Sequence, residues 1–150
     1  MGTAYDDDVA AWAQEQVALL RAGQWGLLDV DHIAEEIEDM NISHRHQLAH
    51  RMAILMAHLL KWKYQPDRRG ASWENTILNQ RDRITRLLKM MPSLRRQLDK
   101  PGWDRDVWND ARDLAASETN LQDLPKTRCW DYELALTRGF FPEPENGGRQ

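Results

Sequence analysis

The sequence predicts an all-α fold, a single-domain helical bundle of four to five main helices with short terminal helices. Apolar residues recur at the 3.6-residue helical period in successive stretches, while no useful length alternates with the period of a strand. One stretch, His44–Pro66 (HRHQLAHRMAILMAHLLKWKYQP), goes further. Trp62, Leu55, Leu48, Leu59 and Met52 crowd one face, and Met56, Ala49, Leu60 and Ala53 widen it to about half the circumference. A surface helix shows a narrower stripe, so other helices should surround this one. Hydrophobic content of 41% and seven Trp supply bulky anchors for a core, which argues against disorder. At 150 residues the chain suits one domain, expected over residues 1–141, with a mobile polar tail over 142–150.

The first helix should run from Asp7 to Ala22, with Asp6 as N-cap and Asp7 and Asp8 favoured by the helix dipole. Val9, Trp12, Ala13, Val17 and Leu20 form its stripe, and Gly23 stops it. Gln16 falls inside that stripe and needs a hydrogen-bond partner. Asp29 or Asp31 opens a second helix through Met40, with Ile33, Ile37 and Met40 on one side and Glu35, Glu38 and Asp39 on the other. Glu36 lies at the border. Asn41 and Ile42 should break the pattern, with Ser43 capping the central helix that Pro66 ends.

Beyond the turn Asp67–Ala71, Ser72 should cap a helix over Trp73–Met91. Its stripe is Trp73, Ile77, Ile84, Leu87, Leu88 and Met91, with Gln80 inside it; Arg81, Arg83, Arg86 and Lys89 take the remaining faces. Ser93–Leu98 should form a helical turn or two. A last long helix over Trp103–Thr119 carries Val107, Ala111, Leu114 and Ala115, with Trp103 and Trp108 at its edges. Glu118 sits on the same side near the helix C-terminus, where burial and the dipole both oppose it, so it needs a compensating base. Asp131 should cap a short helix, Tyr132–Arg138, ended by Gly139. Phe140-Phe141-Pro142 reads as an anchoring hook.

Charge is segregated along the chain. Residues 1–43 carry ten acids and one base, residues 44–100 thirteen bases and four acids, and residues 101–150 ten acids and six bases. A basic middle can attract polyanions, but acidic flanks weaken any hold on phosphate. Acidic and basic helices facing each other, within the fold or across a homodimer, is the preferred reading. The single Cys129 excludes an intrachain disulfide and a cysteine metal cage and suits a reducing compartment. No apolar run reaches the roughly 20 residues that span a bilayer, and the acidic N-terminus lacks a signal-peptide layout. Cytoplasm is the expected location, with no membrane partner.

Several stretches resemble a bacterial family known as a domain of unknown function, number twenty-nine. They are YDDDVAAWAQEQVALLRAGQW, LDVDHIAEEIEDM, HLLKWKYQPDRRGASWENTI, ARDLAASETNL and CWDYELALTRGFFPE, in order from Tyr5 to Glu143. The segment His58–Trp73 is the most specific, because HLLKW, YQP, RR and SW fall at the family's spacing. MNISH at Met40–His44 departs from the glycine and Ser-Glu pair expected there. The resemblance implies an α-helical single domain and no activity.

Three sets of residues could carry chemistry. His46 and His50, four apart, have chelating spacing, and an antiparallel return of the preceding helix could bring carboxylates to them. Both lie on the polar arc, however, so no metal is expected and no cofactor is called for. His58, beside Leu55 and Trp62, could act as a general base tuned by Glu36 or Glu118; a partly buried histidine with satisfied ring nitrogens is the plainer reading. The turn after the central helix interleaves Lys61, Lys63, Arg68 and Arg69 with Trp62, Tyr64 and Trp73, a mixture that can stack on bases and hold phosphate. Its plainer reading has Trp62 and Trp73 pinning the turn while the arginines neutralise acids. For contact with a ligand or partner, Lys61, Trp62, Arg68, Arg69 and Trp73 are the residues singled out. No nucleotide loop, zincin helix, nucleophile elbow or EF-hand is present.

The sequence therefore favours a small helical interaction or adaptor module that binds a protein partner or itself through its acidic N-terminal and basic central faces. The alternatives are a metal- or phosphate-directed enzyme centred on His58 with Glu36 or Glu118, and RNA or single-stranded DNA binding by the Lys61–Trp73 turn. Whether Gln16, Gln80, Glu118 and His58 join one buried polar network is left open at this level.

Overall fold

The computed structural model describes residues 2–145. These residues are all-α, with no strand among them. They divide into two compact units, Met1–Ser43 and His44–Gln150.

In the first unit, α1 spans Val9–Arg21. It starts two residues later than expected because Asp8, not Asp6, takes the extended cap conformation and accepts from the Ala10 and Ala11 amides at 3.1 and 3.0 Å. Gly23 ends the helix at φ +71, a left-handed backbone that a Cβ would strain. A 3-10 turn, Trp25–Leu27, leads to Asp29 and the next helix. Asp29 rather than Asp31 is the cap: its carboxylate accepts from the His32 amide at 3.4 Å. Among the described residues of this unit, only Trp12 and Gln16 are buried.

Helix α2 runs unbroken from Val30 to Tyr64, 35 residues. The break expected at Asn41–Ile42 does not occur, and Ser43 lies within the helix rather than capping one. Asn and Ile cost only a few tenths of a kcal/mol relative to better helix formers, and neither proline nor glycine is there to force a stop.

The second unit combines the rest of α2 with α3 (Ala71–Met90), a 3-10 stretch (Pro92–Asp99), α4 (Pro101–Thr119) and a short α5 (Tyr132–Ala135). Leu48, Met52, Leu55, Met56, Leu59 and Leu60 are fully buried, and Ile77 and Ile84 of α3 with Val107, Trp108 and Ala111 of α4 complete one core with them. Burial of each such large aliphatic side chain stabilises by about 1.5–3 kcal/mol, so α2 is the mainstay of this unit. Helix α3 begins at Ala71 after Gly70, which places Ser72 inside the first turn and not at the cap. Pro101 occupies the first turn of α4, where its missing N–H costs nothing, and Asn120 ends that helix at φ 58. Helix α5 is shorter than the Tyr132–Arg138 expected.

Long side chains fasten the irregular C-terminal part. The Trp108 indole donates to the Pro125 carbonyl at 2.8 Å. Arg128 donates to Asp104 at 2.8 Å and to the Trp130 carbonyl at 2.7 Å, and its guanidinium lies 4.2 Å from the Tyr132 ring centre. Arg81, assigned to a polar face from its sequence, is 5% exposed. It donates through Nε to the Ala135 carbonyl at 2.7 Å and through Nη2 to the Phe140 carbonyl, and it faces the Phe141 ring at 5.4 Å. Pro142 is buried and Phe141 packs 4.7 Å from Trp62, so Phe140–Pro142 does hook onto the second unit. Of the tail expected beyond it, 143–145 are described and 146–150 lie outside the described residues.

Candidate functional site

The turn singled out from the sequence lies in the second unit, where α2 ends. Lys61 is 2% exposed; its ammonium pairs with the Glu118 carboxylate of α4 and sits 5.2 Å from the centre of the Trp73 ring. Glu118 therefore has the base it required, although Lys61 is the desolvated partner and the Glu118 side chain remains 45% exposed. Arg69 donates through Nε to the Trp62 carbonyl at 2.7 Å and stacks 4.9 Å from that ring's centre. Arg68 is exposed. Two of the turn's cations, Lys61 and Arg69, are thus engaged within the chain.

His58, one turn before Lys61, is buried, and its Nδ1 lies 2.9 Å from the Ile54 carbonyl. That acceptor fixes the proton on Nδ1 and leaves Nε2 as the basic nitrogen. Burial holds its pKa below the ordinary range; the Ile54 bond opposes this, Lys61 adds to it and Glu118 opposes it. The residue is held neutral. Neither His58 nor Glu118 lines any cleft described below.

The remaining candidates are placed apart. Glu36, in the first unit, accepts from the Tyr5 hydroxyl. His46 and His50 are exposed on α2, and the continuity of that helix removes the antiparallel return that was to bring carboxylates to them. Among the described residues no group of three or more His, Cys, Asp or Glu side chains is arranged to hold a metal ion.

A second feature lies in the first unit, whose acidic face the sequence singles out without indicating how much of its apolar surface is open. Polar and aromatic contacts hold this unit together. The Trp12 indole donates to Asp29 at 3.0 Å, and the Asp29 amide donates to Gln16 Oε1 at 2.8 Å, which satisfies the glutamine inside the stripe. His32 Nδ1 lies 2.7 Å from Asp29 Oδ2, and its ring stacks on Tyr5 at 4.1 Å. The Asp29 bond raises the His32 pKa, and the same bond lowers that of Asp29. The Tyr5 phenol is pushed up to about 12, first by its hydrogen bond to Glu36. A cleft of about 750 Å³ is lined by Trp12, Leu19 and Leu27 together with Glu15, Gln16 and Asp29.

Much of this unit's apolar surface remains open. Of twelve exposed large apolar side chains among the described residues, nine lie before His44: Val9, Val17, Leu20, Trp25, Leu27, Val30, Ile37, Met40 and Ile42. The helical stripes of α1 and of the start of α2 that read as core positions are in large part exposed. An amphipathic pattern reports that a face will be covered, without reporting whether the cover belongs to the same chain. The available signal was the coincidence of those stripes with ten acids and one base, a setting that suits a surface more than a core.

No curated protein and no solved structure gives a match to the chain. The family model described as "Domain of unknown function DUF29" matches residues 4–141, the stretch that holds both the α2 turn and almost all of the acidic first unit. The chain belongs to the DUF29 family.

Proposed function

We propose that this protein is a helical interaction module and that its first unit is the docking element. The observation that carries this reading is the concentration of nine exposed large apolar side chains in a segment with ten acids and one base. Exposed apolar side chains gathered in one acidic segment suit a protein-binding site, because their removal from water drives association while the charges select the partner. The partner's complementary surface is apolar and basic. An anionic membrane surface would repel these acids, and among the described residues no helix is long and apolar enough to cross a membrane. The single exposed Cys129 fits a reducing compartment such as the cytoplasm.

The α2 turn supports this reading over the other two. Lys61 and Arg69 are occupied within the chain, which leaves the turn a weaker hold on single-stranded nucleic acid. His58 is buried in a packed helix, and that burial lowers its pKa and disfavours the charged form.

A photo-crosslinking amino acid placed at Met40, with Glu74 in the second unit as the exposed control, tests the proposal in cells. A discrete protein adduct at Met40 and none at Glu74 is the expected result. Equal or absent labelling at the two positions overturns it.

A further inference from the structure

The chain carries a surface of the kind its docking element requires. A groove of about 320 Å³ in the second unit is lined by Arg51, Arg83 and Arg86 with Leu87, Met90 and Met91. Met90 is 78% exposed, the most exposed of the large apolar side chains among the described residues. Arg51 and Arg83 have no carboxylate within 4.0 Å among the described residues, and Arg86 has only the exposed Asp82 one turn away.

The start of α2 offers the converse. Val30, Ile37 and Met40 are exposed along one stripe, and the exposed Asp31, Glu35 and Glu38 run beside it. Acids beside aliphatic groups on one surface thus match arginines beside a leucine and two methionines on the other. Two first units facing each other would bring segments of ten acids and one base together, so like-with-like pairing is opposed.

We infer that the partner of the docking element is a second copy of this chain: the acidic, apolar stripe of α2 in each copy seats in the arginine–methionine groove of the other. The inference rests on the docking reading above. Two reciprocal contacts of this kind close a two-fold dimer in which each copy contributes one acidic stripe and one basic groove. Burial of Met90, Ile37 and Met40 supplies the driving force. The facing charges set register and make the association sensitive to salt.

Sedimentation of the full chain over a range of concentrations, at low and high salt, gives the test when combined with two charge reversals. One variant carries Glu35→Arg with Glu38→Arg; the other carries Arg83→Glu with Arg86→Glu. All four positions are exposed, so both variants keep the core. The unaltered chain is expected to dimerise, more weakly at high salt, and each variant alone to weaken the dimer about tenfold or more. An equimolar mixture of the two variants should regain a heterodimer, because one contact in it is native and the other is reversed on both sides. A monomer at every concentration, or a dimer indifferent to both reversals, overturns the inference. The Met40 crosslink separates the two readings: an adduct of twice the chain's mass supports the second copy. An adduct of any other mass removes the second copy and keeps the docking element, and no adduct removes both.

Discussion

The two units solve the problem of holding helices together in different ways. In the second, apolar side chains from α2, α3 and α4 fill a continuous core, and buried arginine, tryptophan and lysine groups fasten segments to its outside. In the first, two side chains are buried among the described residues, and the joints are hydrogen bonds and ring stacks among Tyr5, Trp12, Gln16, Asp29, His32 and Glu36. A unit built the first way resists local opening through its core. One built the second way has few buried apolar contacts to lose, so it opens at lower cost and depends on protonation and on whatever covers its surface. Low intrinsic stability and open apolar surface are properties expected of a segment completed by binding.

The largest expected effect contrasts the two cores directly. Leu55→Ala should destabilise the protein by about 2–5 kcal/mol in chemical denaturation, because it opens a cavity at a fully buried position. Leu27→Ala, at 67% exposure, should change stability by less than about 0.5 kcal/mol. Equal losses would dissolve the distinction between the units.

Next comes Arg81→Met, which keeps bulk but removes the donors to the Ala135 and Phe140 carbonyls. A loss of about 2–3 kcal/mol is expected, with limited proteolysis newly cutting between Leu136 and Glu143. Unchanged protection there would show that the aromatic hook holds by packing alone.

The smallest effect is the most discriminating, because the two histidines respond to pH in opposite directions. The His32 pKa is raised above its ordinary 6.5, so its contribution is full below that value and is lost as pH rises through the raised one. The His58 pKa is lowered, so stability falls as pH drops from 6.5 through the lowered value. Amide protection factors in α1 should therefore decline on the alkaline side of 6.5, and those in the core of the second unit on the acidic side. His32→Gln should flatten the first trend and His58→Gln the second. Both trends moving together in a single variant would count against separate responses.

The helical class and most element positions were legible in the sequence because stripes at the helical period and strong stop signals such as Gly23 and Pro66 are local. The needs of particular residues were legible too. Gln16 required a partner and has the Asp29 amide; Glu118 required a base and has Lys61. Less legible was the junction in α2, where Asn41 and Ile42 read as a break although neither residue can impose one. Arg81 was misassigned by its charge: it stands four residues after Ile77 and three before Ile84, on the buried stripe, and its position outweighed its residue type. The exposure of the first unit was hidden for another reason, since a stripe carries no label for the chain that covers it.

The Arg81 clamp has a consequence for how the protein is made. Its acceptors, the carbonyls of Ala135 and Phe140, lie 54 and 59 residues downstream and leave the ribosome well after α3 has been synthesised. Those acceptors and the Phe140 and Phe141 rings that face the guanidinium belong to the same late segment, so until it arrives Arg81 keeps its water. A chain that stops short of Phe140 is thus expected to leave Arg81 on α3 hydrated and uncovered, which makes the burial of that cation a mark of completed synthesis.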